Sequence, residues 1–130
     1  MGRELEHLAM VAVDCGFRIH KELGPGLLES VYEILLFETL KEKGLSVERQ
    51  KIIPMAFKGR VLEKAFRADL VVENQMLIEL KATERPFPVH AKQVLTYLRI
   101  MDLPLGFLMN FGAATFKNGL KPLANNYFRS

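Results

Sequence analysis

Cysteine occurs once in the 130 residues, as Cys15. That excludes an internal disulfide and any cysteine-cluster zinc site. Histidine is scarce too: His7, His20 and His90 are too few and too scattered to form a histidine-rich metal centre alone. Neither sign of charge dominates. Eighteen Lys and Arg stand against 15 Asp and Glu, a net charge of +3. This permits a polyanionic partner but falls far below the charge of a dedicated nucleic-acid coat. Long apolar runs are missing. The longest uncharged stretch, Leu103 to Phe116, is 14 residues and contains Pro104 and Gly106, too short and too broken to span a bilayer. Met1 to Leu8 carries Arg3, Glu4, Glu6 and His7, so no signal-peptide core is expected there. Repeats, low-complexity tracts and flexible linkers are absent as well. What remains is 49% hydrophobic and 25% charged, the balance of an ordinary globular domain. One domain over residues 1–130, cytoplasmic and without membrane contact, is the expectation.

From Glu4 to Leu23, the residues Leu5, Leu8, Ala12, Cys15 and Ile19 recur at steps of three and four, which predicts a helix. Gly24-Pro25-Gly26 stops it. A second helix is predicted from Leu27 to Lys43, with Leu28, Val31, Leu35, Leu36 and Leu40 as its apolar stripe and Gly44 closing it. Residues 47–57 read as a strand in which Pro54 marks an edge or a bulge. Lys58-Gly59-Arg60 is a turn, Val61–Val72 a second strand, Glu73-Asn74-Gln75 a turn, and Met76–Ala82 a third strand. After Pro86 and Pro88, Val89–Met101 has helical spacing through Val94, Leu95, Leu98 and Met101. Leu105–Phe111 is apolar enough for a strand buried on both faces, with Phe107 and Phe111 as core residues. The tail from Thr115 has no decisive pattern; a short strand near Phe116 is one option. The order α-α-β-β-β-α-β predicts an α/β fold with one mixed sheet flanked by helices.

The segment from Arg67 to Lys81 is the most informative. Asp69, Glu79 and Lys81 stand among Leu, Val, Ile and Met inside two strands, where an unpaired charge is costly. Glu79 and Lys81 are two apart and project from one strand face. Asp69 joins them if the hairpin loop has an odd number of residues, for example three around Asn74; a two-residue turn would put Asp69 on the wrong face. Two carboxylates and an ammonium converging there suit a hard divalent cation and an activated water. An acid two before a lysine is common by chance, and an ion pair between strand residues is ordinary, so weight comes from the rest of the chain. Glu29 and Tyr32 lie three apart on one helix face directly after the Gly-Pro-Gly turn. Gln93 and Tyr97 lie four apart on the third helix, placed to orient a phosphate or a water. In isolation these would be a dipole-favoured glutamate, a surface glutamine and a half-buried tyrosine.

Together, Asp69, Glu79-x-Lys81, the preceding helical Glu29 and the following Gln93-x-x-x-Tyr97 resemble the PD-(D/E)XK nuclease superfamily. Gly26-x-x-Glu29-x-x-Tyr32 resembles the signature of its small GxxExxY proteins. The resemblance runs from about Leu23 to Phe111, with Ala68 where the superfamily name has proline. It implies a restriction-endonuclease-like core and cleavage of nucleic-acid phosphodiesters with Mg2+ or Mn2+. It assigns metal ligation to Asp69, Glu79, the carbonyl of Leu80 and the nearby acid Glu29. Lys81 becomes the catalytic lysine beside Asp69, Glu79 and Glu29, with Gln93, Tyr97 and Tyr32 orienting the substrate. The implied partner is nucleic acid, DNA before RNA, with room for a homodimer or a protein partner.

Other features carry less. Glycines 24, 26 and 59 lack the spacing and lysine of a phosphate loop. Cys15 has no basic residue on its face and reads as a buried core thiol, and His90 reads as a surface residue. Lys58, Arg60, Lys64 and Arg67, with Arg85, Lys92 and Arg99, could line a backbone-binding groove. Against the nuclease stand two alternatives: a non-catalytic module that keeps the fold and binds nucleic acid or protein, and a metal-dependent hydrolase of another substrate. The four chemical positions are intact, which favours an enzyme. Without a separate recognition domain, cutting directed by structure, ends or a partner is expected over sequence-specific cutting.

Overall fold

The computed structural model describes residues 2–85 and 88–125. Helices α1 (Gly2–Leu23) and α2 (Glu29–Glu42) come first, then strands β1 (Val47–Phe57), β2 (Arg60–Val72) and β3 (Met76–Lys81). Helix α3 (Pro88–Met101), strand β4 (Leu105–Asn110), the short helix α4 (Phe116–Gly119) and strand β5 (Leu120–Ala124) follow. The sheet order is β1-β2-β3-β4-β5. Among the described strands only β3 and β4 pair in parallel, because α3 carries the chain back across the sheet between them. This is the mixed, helix-flanked sheet that the element order predicts, extended at its end. Thr115 caps α4 by accepting from the Asn118 N–H at 3.2 Å, so Phe116 begins a helical turn and not a strand. The last strand starts at Leu120 and brings Pro122 opposite Phe107.

Two apolar layers sandwich the sheet. Leu8, Ala12, Cys15 and Ile19 of α1 meet Leu70, Ile78 and Met109 on one face. Val94 and Leu98 of α3 meet Val71, Leu77 and Leu108 on the other. The α1 stripe falls where its spacing predicts, and burial pushes the Cys15 thiol pKa up, as expected of an inert core thiol. On α2 the expected stripe is wrong in part. The helix begins at Glu29, so Leu28 precedes it in extended backbone and is 73% exposed, and Leu35 is exposed too. The buried face is Tyr32, Glu33, Leu36 and Leu40. Tyr32, Leu36 and Leu40 repeat every four residues, and the large phenol takes the core position that a leucine would otherwise fill.

Tyr32 also explains the turn before it. Gly24 and Gly26 have φ of +71° and +114°, open to glycine at little cost. The Tyr32 hydroxyl donates to the Gly24 carbonyl at 2.6 Å and accepts from the Leu27 N–H at 3.1 Å. Its ring stacks on Phe111 at 4.7 Å. The phenol is fully buried, so it does not orient a substrate, contrary to what the resemblance implies; it holds the Gly-Pro-Gly loop to the sheet. At the sheet's outer rim, β1 is an edge strand and its register shifts between Ile53 and Met55, so Pro54 sits at both an edge and a bulge. Among the described residues no helix is long and apolar enough to cross a membrane. Tyr32→Phe leaves the ring in place but strips both backbone bonds. It should lower the unfolding free energy by about 1–3 kcal/mol in urea titration; an unchanged value would mean that the loop does not depend on the hydroxyl.

Candidate active site

The β2–β3 hairpin pairs Val72 with Met76, Val71 with Leu77 and Leu70 with Ile78. Its loop is therefore the three residues Glu73, Asn74 and Gln75, with Glu73 and Asn74 both at φ +53°. That odd count puts Asp69 in register with Glu79. The ladder nevertheless stops there. Where the strands part, the Asp69 N–H donates to Glu79 Oε2 at 2.7 Å, and the Leu80 N–H donates to Asp69 Oδ2 at 2.9 Å. Backbone amides inside a protein need acceptors. Here each of these two finds its acceptor in a carboxylate of the opposite strand. The alternation of β2 breaks at the same point: Leu70 packs under α1 and α2, whereas Ala68 packs under α3.

A third strand joins in. Gln50 of β1 has φ +54°, in the left-handed region that few non-glycine residues visit. Its Nε2 donates both to Asp69 Oδ1 at 3.2 Å and to Glu33 Oε1 at 2.8 Å. Glu33 is 4% exposed and pairs through Oε2 with Arg49 Nη1 at 3.1 Å. Lys81, half-buried at the end of β3, makes no ion pair among the described residues. The strand that carries it is pinned from β4. Asn110, in parallel register with Lys81, accepts from the Thr83 N–H and donates to the Thr83 carbonyl, both at 3.0 Å. A cleft of about 490 Å3 opens beside Lys81, lined among others by His90, Asn110, Asn118 and Lys121.

The electrostatics arise from crowding acids where water is scarce. Burial, then the neighbouring Asp69 charge, push the Glu79 carboxyl up from 4.5 to about 8, against the pull of the Asp69 amide and Lys81. Burial also lifts Asp69, opposed first by its bond from Leu80. Glu29, on the solvent side, is lifted by partial loss of hydration, opposed by Lys81 and reinforced by Asp69. The Tyr97 phenol is raised by burial and then by Glu79 and Asp69, and burial and Lys81 lower the His90 pKa. Asp69, Glu79, Lys81, Glu29 and Tyr97 thus share one electrostatic neighbourhood. Gln93 is exposed, one turn before Tyr97.

The model of the PD-(D/E)XK nuclease superfamily matches residues 6–123. The chain belongs to this superfamily. No curated protein and no solved structure matches it.

PD-(D/E)XK nucleases typically use divalent metals, and carboxylate oxygens are the right kind of ligand for Mg2+ or Mn2+. Burial is the first cause of the raised carboxyl pKa values, opposed in part by Lys81, and a bound cation would oppose the same rise. In kind, the residues fit. In position they are turned inward, onto the Asp69 and Leu80 amides, and among the described residues no three His, Cys, Asp or Glu side chains are gathered as a metal cage. Residue spacing misses Glu33, Gln50 and Asn110. Glu33 has one usable signal, lying four residues after Glu29 on the same helix. Gln50 and Asn110 have none, because a left-handed glutamine and a loop-bracing asparagine leave no pattern.

The raised Glu79 pKa couples stability to pH. Between pH 4.5 and about 8 the folded chain holds a proton that the unfolded chain has released, so raising pH favours unfolding. This contribution is complete below pH 4.5 and is lost as pH rises to about 8. Without metal, the parent should melt at progressively lower temperature across this window. Glu79→Gln, which cannot ionise, should show a shallower decline, with Asp69 and Glu29 supplying the remainder. Parallel pH profiles for the two proteins would mean that Glu79 ionises normally.

Proposed function

We propose that this chain is a metal-dependent nuclease that hydrolyses phosphodiester bonds in nucleic acid, DNA before RNA, in the cytoplasm. The observation that carries the reading is the pair of carboxylates, buried Glu79 and half-buried Asp69, that meet where β2 parts from β3, with Lys81 beside them. Superfamily membership supports it. Asp69 and Glu79 would hold Mg2+ or Mn2+, with the Leu80 carbonyl and Glu29 as further oxygen donors. When bound, the cation supplies positive charge against the charge that develops on the scissile phosphate. The Lys81 ammonium orients the attacking water or a phosphate oxygen from a strand held still by Asn110. Tyr97, its ring stacked on Phe66 at 3.8 Å, turns its hydroxyl end to the substrate, with Gln93 one turn away at the rim. The 490 Å3 cleft beyond Lys81 gives room for a nucleotide next to the cut.

Labelled linear, circular and branched DNA incubated with Mg2+, with Mn2+ and with chelator tests the activity and separates end-directed from internal cutting. Asp69→Asn, Glu79→Gln and Lys81→Ala should each lower cleavage by on the order of a hundredfold, and their combination little more than the worst of them, since they act as one unit. Full activity in Lys81→Ala would remove the lysine from the mechanism.

One observation favours a second reading, a binding module that keeps the fold without catalysis: both carboxylates are already engaged by backbone amides. Melting temperatures decide between the two. A cation that binds only the folded chain stabilises it, by about 2.7 kcal/mol at a hundred times its dissociation constant. Mn2+ should therefore raise the parent's melting temperature. Asp69→Asn removes one ligand and one repelling charge but keeps an oxygen for only one of its two donors, the Leu80 N–H and Gln50 Nε2, so the readout is the rise from its own metal-free melting temperature, most of which should be lost. Equal metal responses would mean that Asp69 is no ligand, and the binding module becomes the better reading.

A further inference from the structure

Toward its tip, the β1–β2 hairpin leaves the sheet. β3 pairs with β2 only from Leu70 to Val72, whereas β1 and β2 stay paired to each other out to Phe57 and Arg60. The base of this ribbon still packs under α3, but its outer part is uncovered by the described residues: every residue from Ala56 to Lys64 is exposed. Its charge is lopsided. Over the hairpin, residues 47–72, Arg49, Lys51, Lys58, Arg60, Lys64 and Arg67 stand against Glu48, Glu63 and Asp69, a net +3 that equals the charge of the whole chain and leaves the rest with none. Its tip is also apolar: Phe57, Val61 and Leu62 are 59%, 67% and 54% exposed, the kind of patch that marks an interaction site.

The pairing places these residues along the ribbon. Paired residues share a face, and Phe57 pairs with Arg60, Met55 with Leu62 and Ile53 with Phe66. Ile53 and Phe66 pack into the α3 layer, and Phe66 stacks on Tyr97. Phe57, Arg60 and Leu62 lie beyond the register shift between Ile53 and Met55, further out on the ribbon whose base packs beside the acidic cluster.

We propose that this ribbon is the element that docks duplex DNA: its cations take the phosphates and its apolar tip enters the major groove. Charge and width decide the occupant. The concentration of positive charge on one projecting ribbon, set against a remainder of no net charge, matches a polyanion. A two-stranded ribbon fits the B-form major groove, about 12 Å wide; the deep, narrow major groove of A-form RNA does not admit it. The proposal rests on the nuclease reading for the cutting step alone, and docking is measured without cutting.

The test is fluorescence anisotropy of a short labelled DNA duplex with the full chain in chelator, across a salt series, with an RNA duplex of the same sequence alongside. The parent should bind DNA more tightly than RNA. Lys58→Gln, Arg60→Gln and Lys64→Gln together should weaken DNA binding more than tenfold at low salt. They should flatten the slope of log affinity against log salt by about 0.9 for each phosphate no longer neutralised, with the melting temperature unchanged. Lys58→Arg with Lys64→Arg, which keeps the charge, should bind as the parent does. Phe57→Ala with Leu62→Ala should narrow the preference for DNA over RNA. The proposal is overturned if the triple variant binds with the parent's affinity and slope, if DNA and RNA duplexes bind alike, or if neither binds; the last result would leave the ribbon for a protein partner. Failure of the nuclease reading looks different: the parent then binds DNA through the ribbon but cuts nothing with Mg2+ or Mn2+. If only the ribbon proposal fails, the triple variant cuts as the parent does.

Discussion

Two backbone amides stranded at the parting of β2 and β3, and the two carboxylates that answer them, hold the centre of this molecule together. Asp69 and Glu79 each lend an oxygen to the other side of the gap. This lets the sheet split without leaving a buried donor unmatched, which would cost about 1–3 kcal/mol for each group. The same arrangement leaves two neighbouring acids short of hydration, and this raises their carboxyl pKa values although the amide bonds themselves pull them down. Structure and electrostatics here have one origin. A site that must expose side chains between strands needs the ladder to end, and the ending creates the demand that the carboxylates meet.

Around that point the supports come from every layer. Gln50 reaches in from β1 with a backbone conformation that is costly for its residue type and bridges Asp69 to Glu33. Tyr32 ties the loop before α2 to Phe111, so the helix that begins with Glu29 starts from a fixed place. Asn110 fastens the segment after Lys81. None of these three needs to touch a substrate. They determine where Glu29, Asp69 and Lys81 begin their side chains, and a side chain rooted in rigid backbone has few conformations to lose when it engages a ligand.

Hydrophobic periodicity carries the strands and helices because one side of each has to meet a core. That is why residues 47–57 and the Met76 strand are readable almost to the residue, and why charges at 69, 79 and 81 stand out against Leu, Val and Ile. Pattern fails where one residue does two jobs. Tyr32 resembles a functional phenol because it is a polar group on a helix face beside Glu29, yet its ring is core and its hydroxyl is a loop clamp. Leu28 has the character of a core residue and lies outside the helix. Glu33 gives little away because a glutamate beside a tyrosine on a helix is normally solvated; its burial depends on Arg49 and Gln50, far along the chain. The tail is illegible because α4 is a single turn, too short for any period to register.

Both rims of the sheet carry a proline, Pro54 in β1 and Pro122 in β5. A strand at a rim presents unpaired amides and carbonyls to any extended chain that drifts past, and that template is how folded sheets grow into aggregates. Proline deletes one donor from the row and, at Pro54, comes with a register shift that bends the strand away from flatness. A protein that leaves a long, sticky, basic ribbon unsupported in solvent has particular need of such protection. It keeps its apolar tip available while making its sheet a poor seed for another copy of itself.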